Sequence, residues 1–98
     1  MGRVSVSRLA EEDLVGIWKY IADDNPLAAT ETLELIESKF RLLARHPDIG
    51  RNRPDLQREL QSYSVGNYVI FFLPRRGPKG IDVVRVLEGN RDITGDYF

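Results

Sequence analysis

The chain closes with VVRVLEGNRDITGDYF, where one arginine, Arg85, interrupts an apolar run. Glu88, a glycine, Arg91 and Asp92 follow within a few residues. A strand end carrying an acid and cations has the ingredients of a catalytic site, or of a charged surface that grips a partner. Arg85 is the informative member. An arginine turned inward from an apolar strand needs a carboxylate or a ligand, because an unpaired buried charge is costly. An acid of the first helix would serve as a structural partner. The single histidine, His46, precedes Pro47 at a helix end, where a cation complements the helix dipole. Glu11, Glu12 and Asp13 are consecutive, so they point in different directions around a helix and do not form a metal site. There is no phosphate-binding loop, nucleophile elbow or dinucleotide fingerprint. RRGPKG, at 75–80, is basic and glycine-containing but opens no helix, so it reads as a hairpin turn. No metal or cofactor is expected.

The elements that must position these residues follow from patterning. Ninety-eight residues favour one domain spanning 1–98. No cysteine is present, so there is no disulfide framework. Neither a signal peptide nor an apolar run of membrane-spanning length is seen, and a cytoplasmic protein is expected. The formal net charge of -1 conceals an asymmetry. Residues 1–38 hold three cations against eight acids, and residues 39–58 hold six cations against two acids. That basic middle is either a solvated surface or an anchor for an anionic partner.

RVSVS alternates and predicts a first strand. Ser7 then caps a helix whose Leu14, Ile17, Trp18 and Ile21 form an apolar stripe. Gly16 interrupts that helix at a cost, marking a place where another backbone approaches. Asn25 and Pro26 start a second helix reaching about Arg45, with Ala29, Leu33, Ile36, Phe40 and Leu43 on one seam. HPDIGRNRPDL reads as a loop. RELQSYSV and YVIFFL, joined by Gly66–Asn67, read as a hairpin with a type II′ turn. IDVVRVLEG is the last strand. Unbroken alternation would put Ile81, Val83, Arg85 and Leu87 on one face, and Asp82, Val84, Val86 and Glu88 on the other; a bulge would spoil that division.

The fold class is therefore α+β, in the order β-α-α-β-β-β. An antiparallel helical hairpin packs on a three- to four-stranded antiparallel sheet, with the first strand at an edge or beside the last. Tyr68, Ile70 and Phe72 share one face of their strand and Val69, Phe71 and Leu73 the other. Both faces are apolar, so the face away from the helices should present a partner surface unless something covers it. Cations are not interleaved along these strands, which argues against a base-stacking platform and against direct nucleic-acid binding by the chain alone.

LAEEDLVGIWKYI, HPDIGRNRPDLQRELQSYSVGNYVIFF and IDVVRVLEGNRDI together resemble the ParE branch of the RelE/ParE toxin superfamily, over nearly the whole chain. The resemblance implies a toxin of a type II toxin–antitoxin module, neutralised by a ParD-like antitoxin. ParE-like members are associated with inhibition of DNA gyrase and RelE-like members with mRNA cleavage on the ribosome. For a RelE-type ribonuclease the matching set would be Arg58, Arg91 and Tyr97. The strand 68–73 lacks the arginine common in the ribonuclease branch, and Glu88 stands where many relatives have histidine, so a binding toxin is favoured. A toxin that has lost its toxicity stays open. On this reading Arg51, Arg53, Arg58, Arg85, Tyr68 and Phe72 contact the antitoxin, and Glu88, Arg91 and Asp92 contact the target.

Overall fold

The computed structural model describes residues 2–75 and 79–98. Strand β1 (Arg3–Val6) leads into helix α1 (Arg8–Ala22), and helix α2 (Pro26–Arg45) follows after three residues. Both starts obey local chemistry. The Ser7 hydroxyl accepts from the Ala10 amide at 3.0 Å and the Asn25 side chain from the Ala28 amide at 3.1 Å, satisfying helix donors that have no partner within the helix. A short 3₁₀ turn at Pro47–Ile49 carries the chain to β2 (Arg51–Asn52), β3 (Gln61–Val65), β4 (Tyr68–Pro74) and β5 (Gly80–Glu88). The turn expected across 75–80, between β4 and β5, falls on residues 76–78, which lie outside the described residues.

The five strands form one sheet in the order β1-β5-β4-β3-β2. The α+β class stands, and the first strand does lie at an edge beside the last. It pairs in parallel, however, so the sheet is mixed. Arg51–Asn52, inside the stretch read as a loop, adds a two-residue edge strand against β3. Gly80 is what lets β1 approach β5, since a Cβ there would collide with the Arg3 carbonyl oxygen. Val65 pairs with Tyr68 across the Gly66–Asn67 turn. Gly66 has a φ of 56° and Asn67 is not among the residues with positive φ, the type II′ pattern.

The division of β5 into faces is corrected. Phe71 pairs with Arg85 and Phe72 with Val83, so Val84 is a bulged extra residue. Past the bulge the alternation reverses. Ile81, Val83 and Val86 join Ile70, Phe72, Ile36, Phe40 and Leu43 in the core beneath the helices. Leu87 turns to the opposite face with Phe71 and Leu60. That face is not left open. Ile93, Tyr97 and Phe98 from the C-terminus, with Leu56 from the loop before β3, pack over it. The Phe98 ring meets the fully buried Phe71 edge-on, with centroids 5.0 Å apart.

Trp18, assigned to the buried stripe of α1, is instead 40% exposed, and its indole N–H donates to the Thr30 hydroxyl at 3.4 Å. Ala10, fully buried, takes up the inner face along with Leu14 and Ile17.

Candidate functional site: a cleft between α1 and the end of the sheet

β1 ends at Val6, while β5 continues to Glu88. The edge of β5 beyond β1 therefore needs other partners for its backbone groups. Helix α1 supplies them. The Ser7 hydroxyl donates to the Val84 carbonyl at 2.8 Å. Asp13 Oδ2 accepts from the Val86 amide at 3.0 Å. The same carboxylate takes Arg85 in a two-point pair, Nε to Oδ2 and Nη2 to Oδ1, both 2.8 Å. Arg85 Nη1 donates to the Tyr97 carbonyl at 3.1 Å. The Asp13 hydrogen bond raises the Arg85 pKa further above its ordinary value, against the opposing pull of burial. Arg85 thus ties together a helix, the sheet edge and the C-terminal segment. The carboxylate expected from the first helix is present. Arg85 is withdrawn from the antitoxin contacts, because all three of its nitrogens are engaged within the chain.

Beyond this clamp α1 and the sheet stand apart. A cleft of about 320 Å³ opens between them, lined by Glu12, Gly16, Ile17 and Tyr20 of the helix, Tyr68 of β4, and Glu88 and Arg91. It is adjoined by a second cleft of about 690 Å³ that shares Tyr20, Tyr68 and Glu88. Tyr68 and Glu88 are opposite each other across the β4–β5 ladder, so their side chains share a face. Burial holds the Tyr68 phenol above its usual pKa, and the Glu88 carboxylate and Tyr20 push the same way. The Glu88 carboxylate makes no hydrogen bond or ion pair with any described residue. Gly16 does not accommodate another backbone: outside its own stretch of helix, no atom of a described residue lies within 4 Å of the point its Cβ would occupy.

The remaining sequence-predicted residues are scattered. Arg51 and Arg58 are exposed. Arg53 is folded back on Asp55 at 3.2 Å and lies 5.9 Å from the centre of the Phe71 ring, and its hydrogen bond lowers the Asp55 pKa. Phe72 is 0% exposed in the helix-side core, which removes it from the contact surface. Tyr68 is half-buried in the cleft. Of the target set, Glu88 and Arg91 meet in that cleft, whereas Asp92 is exposed outside it. Of the ribonuclease set, Arg91 lies 5.9 Å from the centre of the Tyr97 ring, with Arg85 at 5.8 Å. His46 lines a separate pocket with Arg45, Arg75 and Lys79. Among the described residues no cluster of ligating side chains could hold a metal ion. No described helix is long and apolar enough to cross a membrane.

Sequence reasoning missed Asp13, Gly16 and Tyr20 as parts of this site. The signal for Asp13 was present: Ala10, Asp13 and Ile17 follow the three/four spacing of the inner face, so one acid of the Glu11–Asp13 run had to point inward.

Comparison with known proteins agrees with this architecture. A chain of the "Chromosomal ParDE TA system from P. aeruginosa" superposes with a TM-score of 0.71, covering 90% of this chain and 96% of that one at 21% identity, a likeness of fold. Toxin ParE3 of Caulobacter vibrioides is 30% identical over 95 residues, 96% of this chain and 93% of its own length. Toxin RelE3 of the same organism is 30% identical over 87 residues, 88% of this chain and 92% of its own. The family model for the ParE toxin of type II toxin–antitoxin systems matches residues 4–93. This chain belongs to the ParE toxin family of type II toxin–antitoxin systems.

Proposed function

We infer that this toxin acts in the cytoplasm as a single binding domain, holding DNA gyrase in an unproductive state without breaking bonds itself, and that a ParD-like antitoxin neutralises it. The observation that carries this reading is the content of the α1–sheet cleft. Its charged groups are Glu12 and Asp13, already paired with Arg8 and Arg85, a Glu88 with no partner among the described residues, and an Arg91 that also reaches the Tyr97 ring, and the chain's one imidazole lines a different pocket. Phosphodiester cleavage calls for a proton-transfer group poised near neutral pH beside a cation that stabilises the transition state. A phenol whose pKa burial raises above its usual value is not such a group. The test is a gyrase supercoiling assay run beside a ribosome-dependent mRNA cleavage assay. Loss of supercoiling with intact mRNA supports the reading, and the opposite outcome overturns it.

The antitoxin surface follows from what the fold leaves uncovered. The sheet face away from the helices is occupied by the chain's own C-terminus. Exposed apolar side chains gather instead on the helical hairpin: Val15, Trp18, Leu27 and Leu35 are between 40% and 69% exposed. A partner helix bringing an apolar stripe to these positions, with acids reaching Arg51 and Arg58, would match both shape and charge. Substituting Trp18 and Leu27 by alanine together should weaken antitoxin binding at least tenfold in calorimetry while the chain stays folded.

One observation favours a second reading. Two arginines, Arg85 and Arg91, both lie within 6 Å of the Tyr97 ring, and a relative carries the name Toxin RelE3. If the chain is a ribosome-dependent endonuclease, Arg91→Ala and Tyr97→Phe should each abolish cleavage.

A further inference from the structure

Gly16 is hard to account for within the chain. A glycine in a helix interior costs about 1 kcal/mol relative to alanine. That cost is normally offset by a turn, a close backbone approach or a packed neighbour. Gly16 has none of these: it sits in the middle of α1, and its missing side chain faces open space. It does line the cleft, opposite Tyr68 and Glu88. The bare helix surface widens the cleft where two phenols converge with a carboxylate that has no partner among the described residues.

Those three groups define what would fit. Tyr20, 76% exposed, and the half-buried Tyr68 offer aromatic faces to a flat or rounded cation. Glu88 offers a charge-assisted acceptor. Other charges at the rim are already committed or only partly available. Asp13 is neutralised by Arg85, Glu12 pairs with Arg8 at 3.3 Å, and Arg91 is within reach of the Tyr97 ring. An incoming cation would give Glu88 a partner that no described residue supplies, and a guanidinium would match its two oxygens and stack on the rings at once.

We propose that the cleft between α1 and the β4–β5 strand ends is a receptor for an arginine side chain presented by the toxin's protein target, with Gly16 leaving the room, Tyr20 and Tyr68 forming the walls and Glu88 supplying the counter-charge. This rests on the reading of the chain as a target-binding toxin and names the chemistry of that contact.

The probe is a blocked Gly-Arg-Gly peptide, titrated into isotope-labelled full-length toxin by NMR. Its counterpart carries citrulline, which has the same shape without the charge. The expected result is saturable shifts at the amides of Gly16, Tyr20, Tyr68 and Glu88, at least tenfold weaker for citrulline. Glu88→Gln should weaken arginine binding about tenfold, and Gly16→Leu should abolish it. Equal affinity for both peptides, preference for an acidic peptide, or no saturable shift in the cleft would overturn the proposal. Growth inhibition on expression is the second arm, with retained antitoxin binding as the control for folding. Arginine-specific binding combined with full growth inhibition by the Gly16→Leu variant upholds the receptor and overturns its role in target recognition. Loss of inhibition without arginine-specific binding overturns the cationic occupant and leaves the target-binding reading standing. A wild-type chain that fails to slow growth overturns the proposed function, and the peptide arm still decides the cleft.

Discussion

Asp13 on α1 holds the Arg85 guanidinium through two 2.8 Å contacts, across 72 residues of chain, with both side chains less than one-fifth exposed. The same carboxylate caps the Val86 amide at the open edge of β5. This pair ties α1 to the edge of β5, beside the apolar core that seats both helices on the sheet, and so fixes one wall of the cleft.

Breaking the pair from one side should be severe. Asp13→Ala strands a buried guanidinium and a backbone N–H together, so it should lower unfolding free energy by about 3–5 kcal/mol. Asp13→Asn keeps an acceptor for Val86 and should cost less. Replacing both partners, Asp13→Leu with Arg85→Met, should cost clearly less than Asp13→Ala alone, because no charge is left unpaired. Urea denaturation of these three variants and of Arg85→Met alone measures this, and a double variant as unstable as the sum of the Asp13→Ala and Arg85→Met losses would contradict it.

Gly16→Ala should stabilise the chain by about 0.5–1 kcal/mol, since the added methyl group meets no described residue beyond its own stretch of helix and the unfolded chain loses freedom. A rise in Tm is expected in calorimetry. A fall in Tm would mean that Gly16 serves the fold itself.

The pH prediction concerns Tyr68. Its pKa is raised from 10.0, first by burial and then by Glu88 and Tyr20. The folded state therefore keeps this proton longer than the unfolded state. The resulting stability is complete below about pH 10 and is lost as pH rises through the folded-state pKa. Tyr68→Phe should flatten the alkaline loss of stability. In an ultraviolet titration it should also remove a phenol that ionises above the usual tyrosine range. Glu88→Gln should bring that late ionisation to lower pH.

The C-terminal segment should be needed for stability. Phe98 closes over Phe71, and Ile93 and Tyr97 pack on the same cluster. Phe98→Ala should cost about 1–3 kcal/mol. Removal of 93–98 should expose Phe71 and Leu87 and produce dye-binding apolar surface. An unchanged denaturation midpoint for the truncated chain would show that the second cluster holds without its cover.

Local order was legible in the residues themselves. Ser7, Asn25 and Pro26 mark helix starts because caps act over three residues. The seam from Ala29 to Leu43 and the Gly66–Asn67 turn are likewise short-range, governed by helical period and backbone sterics. The family was legible too, from motifs spread along the chain. What the sequence left open depended on contacts between distant segments. The parallel pairing of β1 with β5 joins elements separated by two helices and three strands. The bulge at Val84 shifts the phase of β5 by one residue, and no local propensity announces it, because Val83, Val84 and Val86 suit either face equally. Trp18 reads as core by spacing, yet it sits at the margin of the helix face that the sheet covers. Asp13 looked like one acid of a dipole-favoured run until the sheet edge supplied Arg85 and Val86 as partners. The cleft is the clearest case: Gly16, Tyr20, Tyr68 and Glu88 come from three elements, and only the separation of α1 from the strand ends brings them around one space.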